Sequence, residues 1–215
     1  MALLLHDYFR SSASHRARIA LNLKGLRYRQ LSHHLVKGEQ RAADYLSINP
    51  QGFVPALADG DVVVTQSVAI IEYLEEVYPD TPRVLPAAPA ERARVRSLAS
   101  VVAADTHPLN NLRVLKYLQS ELGLDEATRT AWYHRWLKDC FDALEARLKA
   151  EPETERFCHG DSPTLADICL VPQIFNARRF AFDLSPYPTV MRVFDAAQAL
   201  DAFASAAPDR QPDAE

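Results

Sequence analysis

Over the first 80 residues the apolar positions change period every few residues. The run "LLLHDYF" (3–9) reads as a buried strand, and 14–25 sets Ile19, Ala20 and Leu23 on one helical face before Gly25 ends it. "YRQLSHHL" (28–35) alternates roughly as a strand does, and 39–48 looks helical up to Asn49-Pro50. In "VPALADGDVVVTQS" (54–67) two strands flank Asp59-Gly60, a strong hairpin signal. Helical spacing returns over 67–77 with Ile70, Ile71, Leu74 and Val77. The predicted order is βαβαββα.

Strand signals then cease. "YPDTPRVLPAAPA" (78–90) carries prolines at 79, 82, 86 and 89 and reads as a connection. Helical patterns cover 90–119 and 125–149, separated by "ELGLDEA", and then 164–180 and 189–200. Pro108, in "DTHPLNN" (105–111), is expected to kink the first of these, because proline removes a backbone donor. The polar tail "AAPDRQPDAE" (206–215) is expected to fray. The predicted organisation is a mixed domain over 1–80, a linker over 81–89 and an all-helical domain over 90–215.

A chain of 215 residues can bury two modest cores. Its net charge of −4 gives no electrostatic case for nucleic acid or an anionic membrane, so any anion must be drawn by a local cluster. "ALLLHDYF" is too short to span a bilayer and lacks signal-peptide flanks, which makes a cytoplasmic protein the expectation. Cys140, Cys158 and Cys169 have no metal or redox spacing and suit buried thiols in a reducing compartment. His33 and His34 are neighbours pointing to opposite faces of a strand, so no metal site is expected there.

The chemistry concentrates in "YFRSSASHRARIAL" (8–21). Serine is a favoured helix N-cap, but arginine is unexpected where the helix already carries partial positive charge. Arg10 and the serines therefore point to a bound anion, while Arg16 and Arg18, further along the helix, are expected in structural ion pairs. Pro55 sits where a strand begins, and a cis Val54-Pro55 bond would turn the Val54 backbone toward an extended peptide. Gln66-Ser67 opens the next helix, where a hydroxyl and backbone N–H groups can hold a carboxylate. Each of these residues also has a purely structural reading as a cap; their combination is more specific than any one.

Together these motifs resemble the glutathione transferase family. "NPQGFVPAL" and "VVTQSVAIIEYLEE" are similar to its glutathione site, and "SPTLADI" (162–168) to its capping box, with Thr164 as N-cap and Asp167 at N3. Ser11-Ser12-Ala13-Ser14 with "RARIALNLKG" resembles the serine-type zeta class, as do "DTHPLNNLRVLKYL" and "ARRFAFDLSPYPTV". The resemblance spans about residues 3–208. It implies an α/β thioredoxin-like N-terminal domain followed by an all-α C-terminal domain. It also implies glutathione as cofactor, held by Ser11, Ser12, Gln40, Gln51, Val54, Pro55, Gln66 and Ser67. Asp105 would reach the glutathione of a partner subunit in a homodimer.

The zeta class includes isomerases of maleylacetoacetate and maleylpyruvate. The resemblance thus implies cis–trans isomerisation of a maleyl dicarboxylate by reversible thiolate addition to its double bond. Ser11 would donate to the sulfur. Arg10, His107, Asn111 and Arg179 would meet the substrate, with Arg10 and His107 assisting catalysis. Arg178 points about 100° away from Arg179 on a helix, so one of the two is expected to face the site. Two departures from the class pattern stand out: Ala13 replaces its usual cysteine, and Leu112 stands where some relatives carry an arginine. A general glutathione transferase acting on α-halo acids is the alternative, and a non-enzymatic binding protein on the same fold is a third.

Overall fold

The computed structural model describes residues 3–215, so residues 1 and 2 of the predicted first domain lie outside the described residues. The chain divides into two compact units: everything up to Val84 together with Gln198–Glu215, and Leu85–Ala197.

The first unit is built on a four-stranded sheet. Strands β1 (Leu3–Asp7), β2 (Tyr28–Ser32), β3 (Ala56–Asp59) and β4 (Val62–Thr65) lie in the order β2-β1-β3-β4. β1 runs parallel to β2 and antiparallel to β3, with Leu5 opposite both Gln30 and Leu57. Leu3 and Leu5 on one face and His6 on the other are buried, as a central strand covered on both faces requires. The β3–β4 loop is Gly60-Asp61, since Asp59 pairs with Val62; the hairpin turn falls one residue later than the Asp-Gly signal suggests. Gly60 takes φ +59°, the conformation a two-residue hairpin demands at its first turn position.

Helices α1 (Ser12–Leu23), α2 (Ala43–Ile48) and α3 (Ser67–Val77) complete the βαβαββα order, and a single 3₁₀ turn over Glu39–Arg41 precedes α2. α1 is buried on nearly every side, including Arg16 and Arg18 at 2% and 0% exposure. The closing segment explains this. Residues 198–215 fold back onto the first unit through a short helix over Asp201–Ala204 and a 3₁₀ turn over Pro208–Arg210. Asn22 on α1 donates to Ala202 O at 3.1 Å, and Arg18 Nε to Ala206 O at 3.0 Å. The tail expected to fray is therefore anchored, and it belongs to the sheet unit instead of the helical domain predicted over 90–215. Its polar side chains replace water as partners for the strands and α1.

The second unit is all helical. α4 (Pro89–Ser100) runs into a π-helical turn over Val101–Thr106, then α5 (His107–Leu109) and α6 (Leu112–Ser120). The single kinked helix predicted over 90–119 is instead broken. Asn111 takes an extended backbone and caps α6 by accepting from Arg113 N at 3.1 Å, which ends the earlier helix just after Pro108. α7 (Glu126–Ala150), α8 (Leu165–Arg179) and α9 (Pro188–Gln198) follow close to their predicted ranges. α8 is the buried centre: the ten consecutive residues from Leu165 to Ile174, and Ala177 beyond them, are buried. Its start is the expected capping box, with Asp167 accepting from Thr164 N and Oγ1 and from Cys158 N at 2.7–2.9 Å. All three cysteines are buried and outside any disulfide.

Candidate functional site

In the first unit the turn between β1 and α1 is fixed group by group. Asp7, the last residue of β1, is buried and takes both oxygens to Arg18 Nη1 at 2.8 and 2.9 Å, with Tyr8 N and Gln30 Nε2 as further donors. Arg18 thus forms the predicted ion pair and also binds Phe9 O through Nη2 at 3.0 Å. Ser11 N donates to Tyr8 O, and Ser11 Oγ caps α1 by accepting from Ser14 N at 3.2 Å. Bonded so, the Ser11 hydroxyl keeps its own proton to donate, and its side chain is only half-buried. Ser12 is buried behind it. No acidic residue occupies the first turn of α1, so that turn has no acid of its own against the helix's positive end.

Arg10 is exposed and folds back over the turn, donating to the Tyr8 hydroxyl through Nη2 at 2.9 Å and lying 5.0 Å from the Phe9 ring centre. Arg16 is buried and directs Nη1 to Ser67 Oγ at 3.5 Å, so α1 delivers a guanidinium to the first residue of α3. Of the two structural ion pairs expected here, Arg18 makes one with Asp7, and Arg16 reaches the Ser67 hydroxyl.

At α3 the N-cap is Gln66, with φ +70°, a left-handed backbone for a non-glycine residue that costs on the order of 1–3 kcal/mol. Its Nε2 donates to Gln51 Oε1 at 2.7 Å, which joins two of the predicted cofactor residues. Ser67 is buried at the helix start. Val54-Pro55 is a cis bond, and both residues are buried. Gln40 donates to Leu35 O at 3.4 Å while its Oε1 is buried without a hydrogen-bond partner.

Behind the turn lies a cluster that the sequence did not flag. Tyr8, Phe9, Tyr45 and Val54 pack as a small core. His6 Nδ1 and His33 Nε2 are 2.9 Å apart, with the Tyr45 ring 4.1 Å from that of His33. Burial pushes both imidazoles below their ordinary value, and for His6 the His33 ring adds to the effect. His15 is lowered further, by burial first and then by the charges of Arg18 and Arg16. Among the described residues no group of three or more His, Cys, Asp or Glu side chains is placed to hold a metal.

In the second unit the broken helix brings His107 and Asn111 together: Asn111 Nδ2 lies 3.4 Å from His107 Nε2. Asp105 is exposed on the π-helical turn. Arg178 and Arg179 are both exposed in the last turn of α8, but they face different rings. Arg178 lies 4.5 Å from the Phe194 centre on α9, and Arg179 lies 5.1 Å from that of Phe180. Phe180 stacks on Tyr133 at 3.7 Å, and His134 Nε2 donates to Phe180 O at 2.7 Å. α7 thereby grips the end of α8 at a ring and at a carbonyl. Tyr133 is buried, which raises its phenol to about 12 against the nearby Arg179 charge. Nothing in the spacing of Trp132, Tyr133 and Trp136 separated this role from ordinary core packing.

Similarity to known proteins is extensive. The N-terminal domain profile of the glutathione S-transferases matches residues 10–77, and the C-terminal domain profile matches 129–196. A maleylpyruvate isomerase of Ralstonia sp. is 52% identical over 97% of this chain and 98% of its own. A holo structure of maleyl pyruvate isomerase, described as a bacterial glutathione S-transferase in the zeta class, superposes with a TM-score of 0.96 at 51% identity, covering 99% and 100% of the two chains. A maleylacetoacetate isomerase from Methylobacterium extorquens AM1, crystallised with bound malonate and GSH, gives 0.95 at 44% identity over 99% of each.

Proposed function

Because the chain belongs to the glutathione S-transferase family, in its zeta-class branch, we infer that it is a glutathione-dependent cis–trans isomerase of a maleyl keto acid, maleylacetoacetate or maleylpyruvate. The observation that carries the reading is the Ser11 turn. It sets a half-buried hydroxyl at a helix start that has arginine beside it and no carboxylate of its own.

The residues present fit glutathione, an anionic, extended peptide. Ser67 at the start of α3, with the Arg16 guanidinium behind it, suits a carboxylate. Gln51, Gln66 and Gln40 offer amide groups, the last with a buried acceptor lacking a partner. When bound, glutathione supplies a thiolate that adds reversibly to the maleyl double bond, so that the carbon axis can rotate before the bond re-forms.

Ser11 donates its O–H to the sulfur, and the positive end of α1 acts in the same sense. Both favour the charged form of a thiol that is otherwise only a few per cent ionised at neutral pH. Each unit of thiol pKa is worth about 1.4 kcal/mol. Arg10 and Arg179 take the substrate carboxylates, for which a planar guanidinium offers two parallel donors. His107 and Asn111 donate to the keto oxygen as it gains charge. Ser12, Val54 and Pro55 complete the cofactor wall. In a homodimer Asp105 takes the ammonium of the glutathione held by the partner subunit. Three buried cysteines outside any disulfide accord with a reducing cytoplasm. No helix among the described residues is long and apolar enough to cross a membrane.

The test is ultraviolet-monitored isomerisation of maleylpyruvate and of maleylacetoacetate, each with and without glutathione. Glutathione-dependent turnover of either is expected, and the ratio of rates identifies the substrate. No turnover of either, with glutathione still bound and α-halo acids consumed, would replace the isomerase by a general transferase.

A further inference from the structure

The closing segment does more than cover α1. Asp213 Oδ2 accepts from the backbone N–H of Phe9 at 3.1 Å and from Ser32 Oγ. The Phe9 carbonyl is held by Arg18 Nη2 at 3.0 Å, and Arg18 itself is fixed by Asp7 and by Ala206 O of the same closing segment. Both backbone polar groups of Phe9 are therefore fixed, one by the segment directly and one through an arginine that the segment holds. Phe9 lies two residues before Ser11, and Ser11 N is bonded back to Tyr8 O, so the peptide that is clamped is the one from which Ser11 hangs.

We propose that Asp213 is a positioning residue for the reactive turn: it fixes the Phe9 peptide and thereby the direction of the Ser11 hydroxyl. This rests on the role given to Ser11 above. A hydroxyl displaced by even about 1 Å loses most of its hydrogen bond to sulfur, because such bonds weaken steeply with distance and angle. The segment is built so that Asp213 can be removed alone. Gln211, two residues before it, accepts from Gln30 and donates to Ser205 O and Ala207 O. Glu215, two residues after it, meets His34 and Lys37. With an anchor on either side, an Asp213 substitution takes away the bond to Phe9 and leaves the segment in place.

The experiment compares full-length Asp213→Ala, Asp213→Asn, Ser32→Ala and Ser11→Ala proteins. Amide hydrogen exchange is read across residues 8–12, glutathione thiolate absorbance is titrated in the binary complex, and kcat and KM are measured. In Asp213→Ala, exchange at Phe9 rises, the bound thiol titrates about one unit higher and kcat at neutral pH falls about tenfold, with KM for glutathione nearly unchanged. Asp213→Asn keeps a carbonyl acceptor for Phe9 and recovers most of the loss. Ser32→Ala, which spares the Phe9 bond, behaves as wild type. Wild-type exchange at Phe9 in Asp213→Ala overturns the proposal whatever Ser11 does. Faster exchange with unchanged kcat overturns it as well. If Ser11→Ala leaves both the thiol titration and kcat unmoved, the serine reading itself has failed and the proposal falls with it.

Discussion

The starts of α1 and α8 are built from the same kinds of residue to opposite ends. At α8 the chain brings its own anion: Asp167 is fully buried and takes three donors, two of them from Thr164. Burial holds the Asp167 carboxyl above its usual range even though those bonds pull it down, and the same carboxylate, after burial, helps push the Cys158 thiol well up. At α1 the cap is a neutral hydroxyl with a single acceptor bond, the first turn has no acid, and arginines stand on either side. A helix start that is internally neutralised is finished and serves the core. One that is left positive keeps its potential for an anion from outside.

The difference can be broken most severely at α8. Asp167→Ala strands three buried donors and is expected to cost on the order of 3 kcal/mol in urea denaturation, while the folded fraction keeps its kinetic constants. Ser11→Ala should show the reverse profile. Stability drops by about 1 kcal/mol for a lost cap, but turnover falls about tenfold or more, with the bound thiol titrating at least about one unit higher. Equal effects on stability and turnover in both variants would erase the distinction between the two helix starts.

Acid separates the two units further. His6, His15 and His33, all in the sheet unit, have native values below the ordinary 6.5, so between the two values the unfolded chain binds more protons than the native one. Their contribution is complete above pH 6.5 and is lost as pH falls through the native values. Asp167 has the opposite sign: its native value is raised, so its share of stability is fullest below 3.8 and is lost as pH rises through the native value. Urea midpoints should therefore fall from pH 7 to pH 5, and His33→Gln should lessen the fall; an identical slope in that variant would remove His33 from the account.

The smallest change concerns the other end of α8. Ala181 follows Phe180 with φ +50°, the left-handed conformation glycine adopts freely. Ala181→Gly should stabilise the protein by about 0.5 kcal/mol after allowing for the freer unfolded chain. A loss of stability would mean that the alanine methyl group does more in packing than it costs in strain.

Much of this was legible in the chain because it rests on period and on local rules. The alternation of strand and helix spacing up to residue 77, the switch to helices after the prolines, and the Thr164–Asp167 capping box all depend on residues a few positions apart. What was not legible depends on distant or single contacts. The tail reads as polar and loose, yet Gln211 and Asp213 act through side-chain bonds to residues 181 and 204 positions earlier. The helix predicted over 90–119 keeps its apolar spacing through the break, which is made by Asn111 capping α6. The left-handed backbone of Gln66 leaves no compositional trace. The helix-start positions of Ser11 and Ser67 were legible from the residue types and spacing. The clamp of Tyr133 and His134 on Phe180 was not, because aromatic residues at helical spacing describe a core equally well.

The sheet unit is discontinuous in the chain, and synthesis runs in one direction. β1, α1 and the Ser11 turn leave the ribosome before the helical unit, but the groups that fasten Phe9 from the far side, Ala206 and Asp213, leave it after that unit. The nascent protein can form its strands early, but its Ser11 turn is set only once the helical unit has been made.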